Sequence, residues 1–182
     1  MIAISDVKIG DSVLAANAAG KTRFSEVVYV PHGANKESAM FTRISTVRNH
    51  DIKMTSKHIL PAGICDTTLP LVYASDVSVG DCIQTVYGQE EVSKVETVLG
   101  LGLYTIVTNE EFIVVNGIIA SPFEINHMMA NLYYNVHRLA NLFAPVLLAS
   151  SSLHKTNEVR KPQLCSRFYH STSERCIVGH HI

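Results

Sequence analysis

The sequence predicts an all-β body assembled from two copies of one subunit, related by a pseudo-twofold, and followed by a single C-terminal helix. Three observations carry this. Residues 1–120 are filled by short apolar runs rich in Val, Ile, Thr and Tyr, broken by Gly, Asn and Asp, which is the strand signature. Ser5-Asp6-Val7-Lys8-Ile9-Gly10-Asp11 returns as Ser75-Asp76-Val77-Ser78-Val79-Gly80-Asp81, with five of seven residues identical. Between 124 and 142 the apolar residues change to steps of three and four, the period of an amphipathic helix.

In chain order the spacing predicts strands over Ser12–Ala15, Phe24–Val30, Phe41–Thr46, Ile52–Thr55, Gln84–Val86, Val92–Val98, Tyr104–Thr108 and Phe112–Val115. Each xGD turn leads into an apolar strand, Val13-Leu14 or Ile83, and then into a second strand that opens on a glutamate, Glu26-Val27-Val28 or Glu91-Val92. A third pair follows, Phe41–Thr46 against Tyr104–Thr108, each passing through a polar turn into Ile52-Lys53-Met54-Thr55 or Ile113-Val114-Val115-Asn116. Two repeats are too few for a solenoid, whose burial comes from stacked neighbours, so the copies are expected to fold onto each other. The alternative is two unrelated VGD turns in an all-β chain, since Gly and Asp are common turn residues.

Ile125, Met128, Met129, Leu132, Tyr133, Val136, Leu139, Ala140 and Phe143 form the apolar stripe of the expected helix, which Pro145 ends or kinks. Past Ser150 the Ser, Lys and Asn content rises and no period persists, which predicts a weakly ordered extension. The chain is thus expected to divide into a body at 1–123, a helical segment at 124–150 and a tail at 151–182.

The 182 residues are 47% hydrophobic and 17% charged, which excludes a wholly disordered chain. Lys plus Arg (15) nearly balance Asp plus Glu (16), so no basic field exists to hold a phosphate backbone and nucleic acid is not an expected partner. The N-terminus lacks the charged start and apolar stretch of a secretory signal. Met128–Ala149 is interrupted by Asn131, Asn135, His137, Arg138, Asn141 and Pro145, so no transmembrane helix is expected and the chain should be soluble. Cys65, Cys82, Cys165 and Cys176 form no CxxC pair, so neither a zinc ribbon nor a thioredoxin-type site is indicated. Cys165, His170, Cys176, His180 and His181 match no standard zinc framework, and no metal or other cofactor is expected. Gly100-Leu101-Gly102 has no strand-loop-helix around it and reads as a turn rather than a phosphate-binding loop.

Five pieces in order, Ile9-Gly10-Asp11-Ser12-Val13-Leu14-Ala15, Phe24-Ser25-Glu26-Val27-Val28, Phe41–Thr46, Thr55-Ser56-Lys57-His58-Ile59-Leu60 and Phe112–Ser121, resemble the Hint module. The resemblance covers residues 4–122 and is nearest to the autoprocessing C-terminal domain of Hedgehog proteins, which shares its fold with inteins. It implies a self-cleaving module. A Cys at its first residue attacks the preceding carbonyl to give a thioester, which a sterol hydroxyl, water or another small nucleophile then resolves. An amide has a poor leaving group, so the departing nitrogen must be protonated. His58 matches the family's histidine and would supply that proton, while Thr55, three residues earlier, would hold the scissile peptide. Taken alone, a TxxH is merely a polar strand end.

Three departures qualify what the resemblance implies. The family's nucleophilic Cys lies well upstream of the first xGD turn, whereas Gly10 is only nine residues from Met1, so the nucleophile and its strand are absent as the chain is written. By register no other cysteine replaces it, and Cys82 reads as a buried structural residue. His32 stands where the Hedgehog branch places the aspartate that activates the sterol. A histidine there still has a base's chemistry, but hydrolysis or transfer to another nucleophile becomes as reasonable as sterol transfer, and an exposed loop histidine is the plain alternative. Ser121-Pro122-Phe123 replaces the family's Ser-Cys-Tyr, removing a thiol and an amide proton. The catalytic residues expected are therefore Thr55, His58 and His32, and the substrate is the chain's own upstream polypeptide. The helical segment, placed like the family's adduct region, makes peripheral membrane or sterol contact a further expectation. Secretion follows from the resemblance alone. The competing readings are a degenerate, non-catalytic Hint scaffold or sterol- or lipid-binding module, and an extracellular β-domain with no Hint chemistry.

Overall fold

The computed structural model describes residues 2–32, 38–124, 135, 139, 174–175 and 177–178, with the backbone alone at His32 and in the last two pairs. The strands among the described residues are β1 (Ile2–Ala3), β2 (Ser12–Ala16), β3 (Thr22–His32), β4 (Ser38–Thr46), β5 (Asp51–Met54), β6 (Ile59–Gly63), β7 (Leu71–Tyr73), β8 (Cys82–Thr85), β9 (Gly88–Leu101), β10 (Thr105–Thr108), β11 (Phe112–Val115), β12 (Ile118–Ala120), β13 (Glu174–Arg175) and β14 (Ile177–Val178). Among the described residues with assigned bounds, helix is limited to two single 3-10 turns, Ile4–Asp6 and Ala74–Asp76. The helix expected between 124 and 142 lies outside the described residues except for Glu124 and for Asn135 and Leu139, which are helical in conformation. The candidate metal ligands of the tail lie outside them too.

The repeated heptads fold alike. Each enters as a 3-10 turn, and in each the aspartate closes its own turn: the amide of Lys8 donates to Asp11 Oδ2 at 3.0 Å, and that of Ser78 to Asp81 Oδ2 at 2.8 Å. Gly10 and Gly80 hold φ of 89° and 94°, a left-handed conformation that a Cβ would strain. Both glycine amides then reach the carbonyl of an equivalent valine in the next strand, Gly10 to Val27 at 2.8 Å and Gly80 to Val92 at 2.9 Å. That match supports duplication over two coincidental turns.

The two halves exchange strands. Copy-one β3 pairs antiparallel with copy-two β10, from Thr105↔His32 to Thr108↔Val27, and copy-two β9 pairs antiparallel with copy-one β4, from Ser38↔Leu101 to Thr46↔Val92. The hairpins β2–β3 and β8–β9 stay within their own copies. Side chains at equivalent positions meet in one core: Val13 and Ile83, Val27 and Val92, Ile44 and Ile106 are each 0% or 1% exposed. Burying an aliphatic side chain contributes about 1.5–3 kcal/mol, so the shared core is the main apolar stabilisation of both copies.

Two polar clasps join the copies, and in both the carboxylate belongs to copy two and its partners to copy one. Glu90, 3% exposed on β9, accepts from Thr46 Oγ1 at 2.8 Å and lies 2.8 Å from His50 Nδ1. Likewise, Arg23 of β3 forms an ion pair with the buried Glu110, its Nε 2.6 Å from Oε1. Burial alone would raise the Glu90 carboxyl, but hydrogen bonds from His50 and Thr46, with the charges of His50 and Arg48, outweigh it and hold the group below the ordinary carboxylate value.

Cys82 is buried, as expected, but it is not a lone structural cysteine: it is bonded to Cys65 with Cα atoms 4.9 Å apart. The pairing of Gly63 with Cys82 brings β6 and β8 together, so a partner 17 residues away in sequence becomes a spatial neighbour. The bond closes a loop that contains β7 and the second 3-10 turn.

Two outcomes follow for stability. Glu90→Gln is expected to destabilise the chain by about 1–2 kcal/mol, read from the urea unfolding midpoint. Because the folded-state value of Glu90 is lowered, its contribution is present at neutral pH and is lost as pH falls below the unfolded carboxylate value and through the folded one. The variant should therefore show a shallower loss of stability in acid. Cys65→Ser or Cys82→Ser, or reduction of the wild type, should cost about 3 kcal/mol for a loop of this length, visible as a lowered Tm.

Candidate functional site

The repeat itself explains where a site forms. In copy two, β11 and β12 make a hairpin through only Asn116-Gly117, at φ of 50° and 83°, the left-handed pair that tight hairpins demand. The equivalent connection in copy one, between β5 and β6, has four residues, Thr55-Ser56-Lys57-His58. β5 pairs with β4, whereas β6 pairs with β7 and β8. The longer turn leaves the hairpin unclosed and opens a cleft at that point.

Backbone hydrogen bonds hold this turn from two sides. The His58 amide bonds the Thr55 carbonyl at 3.0 Å and closes the turn. The amides of Ala74 and Ser75, inside the disulfide-closed loop, bond the carbonyls of His58 at 2.8 Å and Ser56 at 3.0 Å, and the Ser121 amide bonds Ile59 at 2.9 Å. Thr55 directly follows β5 and His58 directly precedes β6, and their side chains converge, with Thr55 Oγ1 2.9 Å from His58 Nδ1. The structure thus brings these two side chains into contact.

A third group joins them that sequence reasoning did not single out. Thr55 Oγ1 donates to Glu124 Oε1 at 2.5 Å, and that oxygen lies 3.5 Å from His58 Nδ1. Glu124 is held there by what precedes it. The buried Ser121 accepts from the Phe123 amide at 3.1 Å, and Phe123 packs on Val28, Val107 and Tyr29, so the chain leaves the core at a set point. Pro122 takes no part in hydrogen bonding through nitrogen, in keeping with a segment anchored by its neighbours. The signal available in the sequence was only a carboxylate just after the last apolar run.

Thr55, His58 and Glu124 line one wall of a cavity of about 610 Å³ whose other walls include Ile4, Phe41, Leu101 and Tyr104. The His58 side chain is 14% exposed and that of Glu124 48%, so the imidazole sits inside and the carboxylate at the rim. Pro31 and Thr105 also line the cavity, and Thr105 is the backbone partner of His32. The strand containing His32 therefore borders the cavity, while the His32 side chain lies outside what the structure describes. Cys65 and Cys82 are bonded to each other and offer no free thiol to the site, and Cys165 and Cys176 lie outside the described residues. Among the described residues no group of three or more His, Cys, Asp or Glu is placed to hold a metal ion, and no helix is long and apolar enough to cross a membrane.

Comparison with known proteins agrees with this architecture. Warthog protein 6 of Caenorhabditis elegans is 37% identical over 125 residues, which is 65% of this chain and 21% of that protein. Warthog protein 1 of the same nematode is 27% identical over 123 residues, 65% of this chain and 25% of that protein. The chain thus spans a quarter or less of the length of these curated relatives. Among solved structures, a DnaB intein from Synechocystis superposes with a TM-score of 0.55 at 16% identity, covering 66% of this chain and 85% of the intein. A KlbA intein precursor from Methanococcus jannaschii gives 0.52 at 22% identity over 59% of this chain and 62% of its own. At such identities the likeness is one of fold. The family model of the Hint module matches residues 1–165, and with the duplicated, strand-exchanged body the chain belongs to the Hint, or Hedgehog/intein, family.

Proposed function

We propose that this Hint module carries out protein autoprocessing, cleaving a peptide bond upstream of itself through a thioester. The observation that carries the reading is the convergence of Thr55 and His58 on the wall of a cavity that also takes in Ile4, the start of the chain. In this reading an upstream segment, joined on the Ile4 side of the cavity, supplies the scissile bond.

The reaction requires a cysteine in that upstream segment. Its sulfur, having lost its proton, attacks the carbonyl carbon of the preceding residue. A C–S bond forms, the C–N bond breaks, and the departing nitrogen takes a proton. His58 is the proton donor in this reading and Thr55 fixes the ring. The thioester is then resolved by water, a sterol hydroxyl or another small nucleophile, with His32 as the candidate base on the strand beside the cavity. The Cys65–Cys82 disulfide fits processing in an oxidising compartment, because such bonds persist there and are rare in the cytosol.

A second reading, a non-catalytic scaffold or sterol- or lipid-binding module, is favoured by one feature: the apolar side of the cavity, with Ile4, Phe41, Leu101 and Tyr104. The two readings part in a single experiment. The chain is expressed with its natural upstream segment, and cleavage is followed with hydroxylamine as the trap. Dithiothreitol would also cleave a thioester, but it reduces Cys65–Cys82 as well. Autoprocessing predicts a cleaved product, with His58→Ala slowing its formation by about 100-fold or more. Cleavage at the normal rate in that variant would remove His58 from the mechanism. No cleavage at all, together with saturable sterol or liposome binding by the same chain, would favour the binding module.

A further inference from the structure

We propose that Gly100 and Gly102 are specificity-determining residues: each lets an aromatic ring rest against the main chain, and the room so kept sets the size of the nucleophile that can reach the thioester. The inference deepens the autoprocessing reading and rests on it for the effect on rate, though not for the shape of the cavity.

Gly100 and Leu101 are the last residues of β9, and Gly102 begins the connection to β10. Across β4 and β9, Gly100 pairs with Ala39 and Val98 with Phe41, so Phe41 and Gly100 are diagonal neighbours on one face. A Cβ at Gly100 would lie 2.9 Å from Phe41 Cδ2 and 3.0 Å from Cε2. Carbon atoms in contact settle at about 3.5–4.0 Å, so the ring already fills the space of a side chain at 100. Glycine weakens a strand and marks the places where another group must approach the backbone closely. The arrangement returns two residues later. A Cβ at Gly102 would lie 2.5 Å from Tyr104 Cε2 and 2.6 Å from its hydroxyl oxygen, and the φ of 82° is left-handed besides.

Both glycines and both rings line the cavity bordered by Thr55, His58 and Glu124. Its volume of about 610 Å³ is far above the roughly 30 Å³ share of one water in the liquid, so water alone does not account for the space. With Phe41 and Tyr104 on this wall, and Leu101, Leu103, Ile4 and Met54 among the rest, the space fits a neutral, largely apolar nucleophile. A side chain on either glycine would drive a ring off the main chain and reduce that space.

Gly100 is the cleaner test, because it needs no left-handed φ and valine suits a strand. The chain with its natural upstream segment is trapped with hydroxylamine or with O-benzylhydroxylamine, which offer the same amino group at two sizes. In either case the nitrogen attacks the thioester carbonyl carbon, the C–N bond forms, the C–S bond breaks, and the sulfur leaves with the proton that the nitrogen gives up. Gly100→Val is expected to slow the benzyl reagent about tenfold or more relative to hydroxylamine, and adding Phe41→Ala should return the ratio to within about threefold of wild type. Should Gly100→Val not fold, Gly100→Ala is expected to move the ratio the same way by about threefold. An unchanged ratio, or no rescue by Phe41→Ala, would overturn the proposal. Binding of the neutral dye N-phenyl-1-naphthylamine reads the cavity without cleavage: it should weaken about tenfold in Gly100→Val and recover in the double variant. If the wild type fails to cleave while the dye behaves in this way, autoprocessing is refuted and the role of the glycines in shaping the cavity stands. If the wild type cleaves and Gly100→Val changes neither ratio nor dye binding, the role of the glycines alone is refuted.

Discussion

Two antiparallel pairings, β3 with β10 and β9 with β4, bind the halves of the body by exchange: each copy completes its long strand with one from the other. Neither copy then has a core of its own. Ile44 and Ile106, both on exchanged strands, are buried in the same cluster as Val13 and Ile83, so apolar burial is available only when both copies are in place. The carboxylates of Glu90 and Glu110 reinforce this, since each is buried on copy two and bonds side chains of copy one. A buried carboxylate without its partner is costly, which makes the clasps intolerant of partial assembly.

Within that symmetric frame, function depends on departures from symmetry. The Asn116-Gly117 connection closes a hairpin and buries its strands, while the Thr55–His58 connection stays open and exposes a histidine to a cavity. The opening is kept in shape by bonds from Ala74 and Ser75, and these belong to the loop closed by Cys65–Cys82. The disulfide thus lies outside the cavity yet limits the movement of the segment that holds the turn. Thr55, His58 and Glu124 meet because three separate elements end at one place: β5, β6 and the chain leaving β12.

Much of this was legible in the residues. Short apolar runs rich in Val, Ile, Thr and Tyr located β2 to β5 and β8 to β11 to within a few residues, because such side chains suit a pleated surface and the turns between them contain Gly, Asn or Asp. β6 was missed for a physical reason: Pro61 and Gly63 are poor strand residues, found here where the strand passes from its pairing with β7, up to Pro61, to its pairing with β8 at Ala62 and Gly63. The three-residue β12, Ile118-Ile119-Ala120, is too short to show a period. The strand exchange left no trace in the pattern, since alternation reports which face is buried and not which partner is bonded. Thr55 and His58 were recognisable because they are close in sequence. Glu124 and the Cys65–Cys82 bond depend on contacts that only the folded chain makes, and two cysteines 17 apart carry no spacing rule.

Because the exchanged ladders are made of main-chain amides and carbonyls, they persist through wide changes of side chain. Only the buried aliphatic positions, the left-handed turn residues and the two clasps restrict composition. An architecture held in this way can drift far in sequence and still superpose, as the 16% identity and 0.55 TM-score with the Synechocystis intein illustrate. Ile52, Met54, Ile113 and Ala120 serve core and cavity at once, whereas Thr55, His58 and Glu124 border the cavity outside that core, so the chemistry of the cavity can change at these three positions without first rebuilding the scaffold.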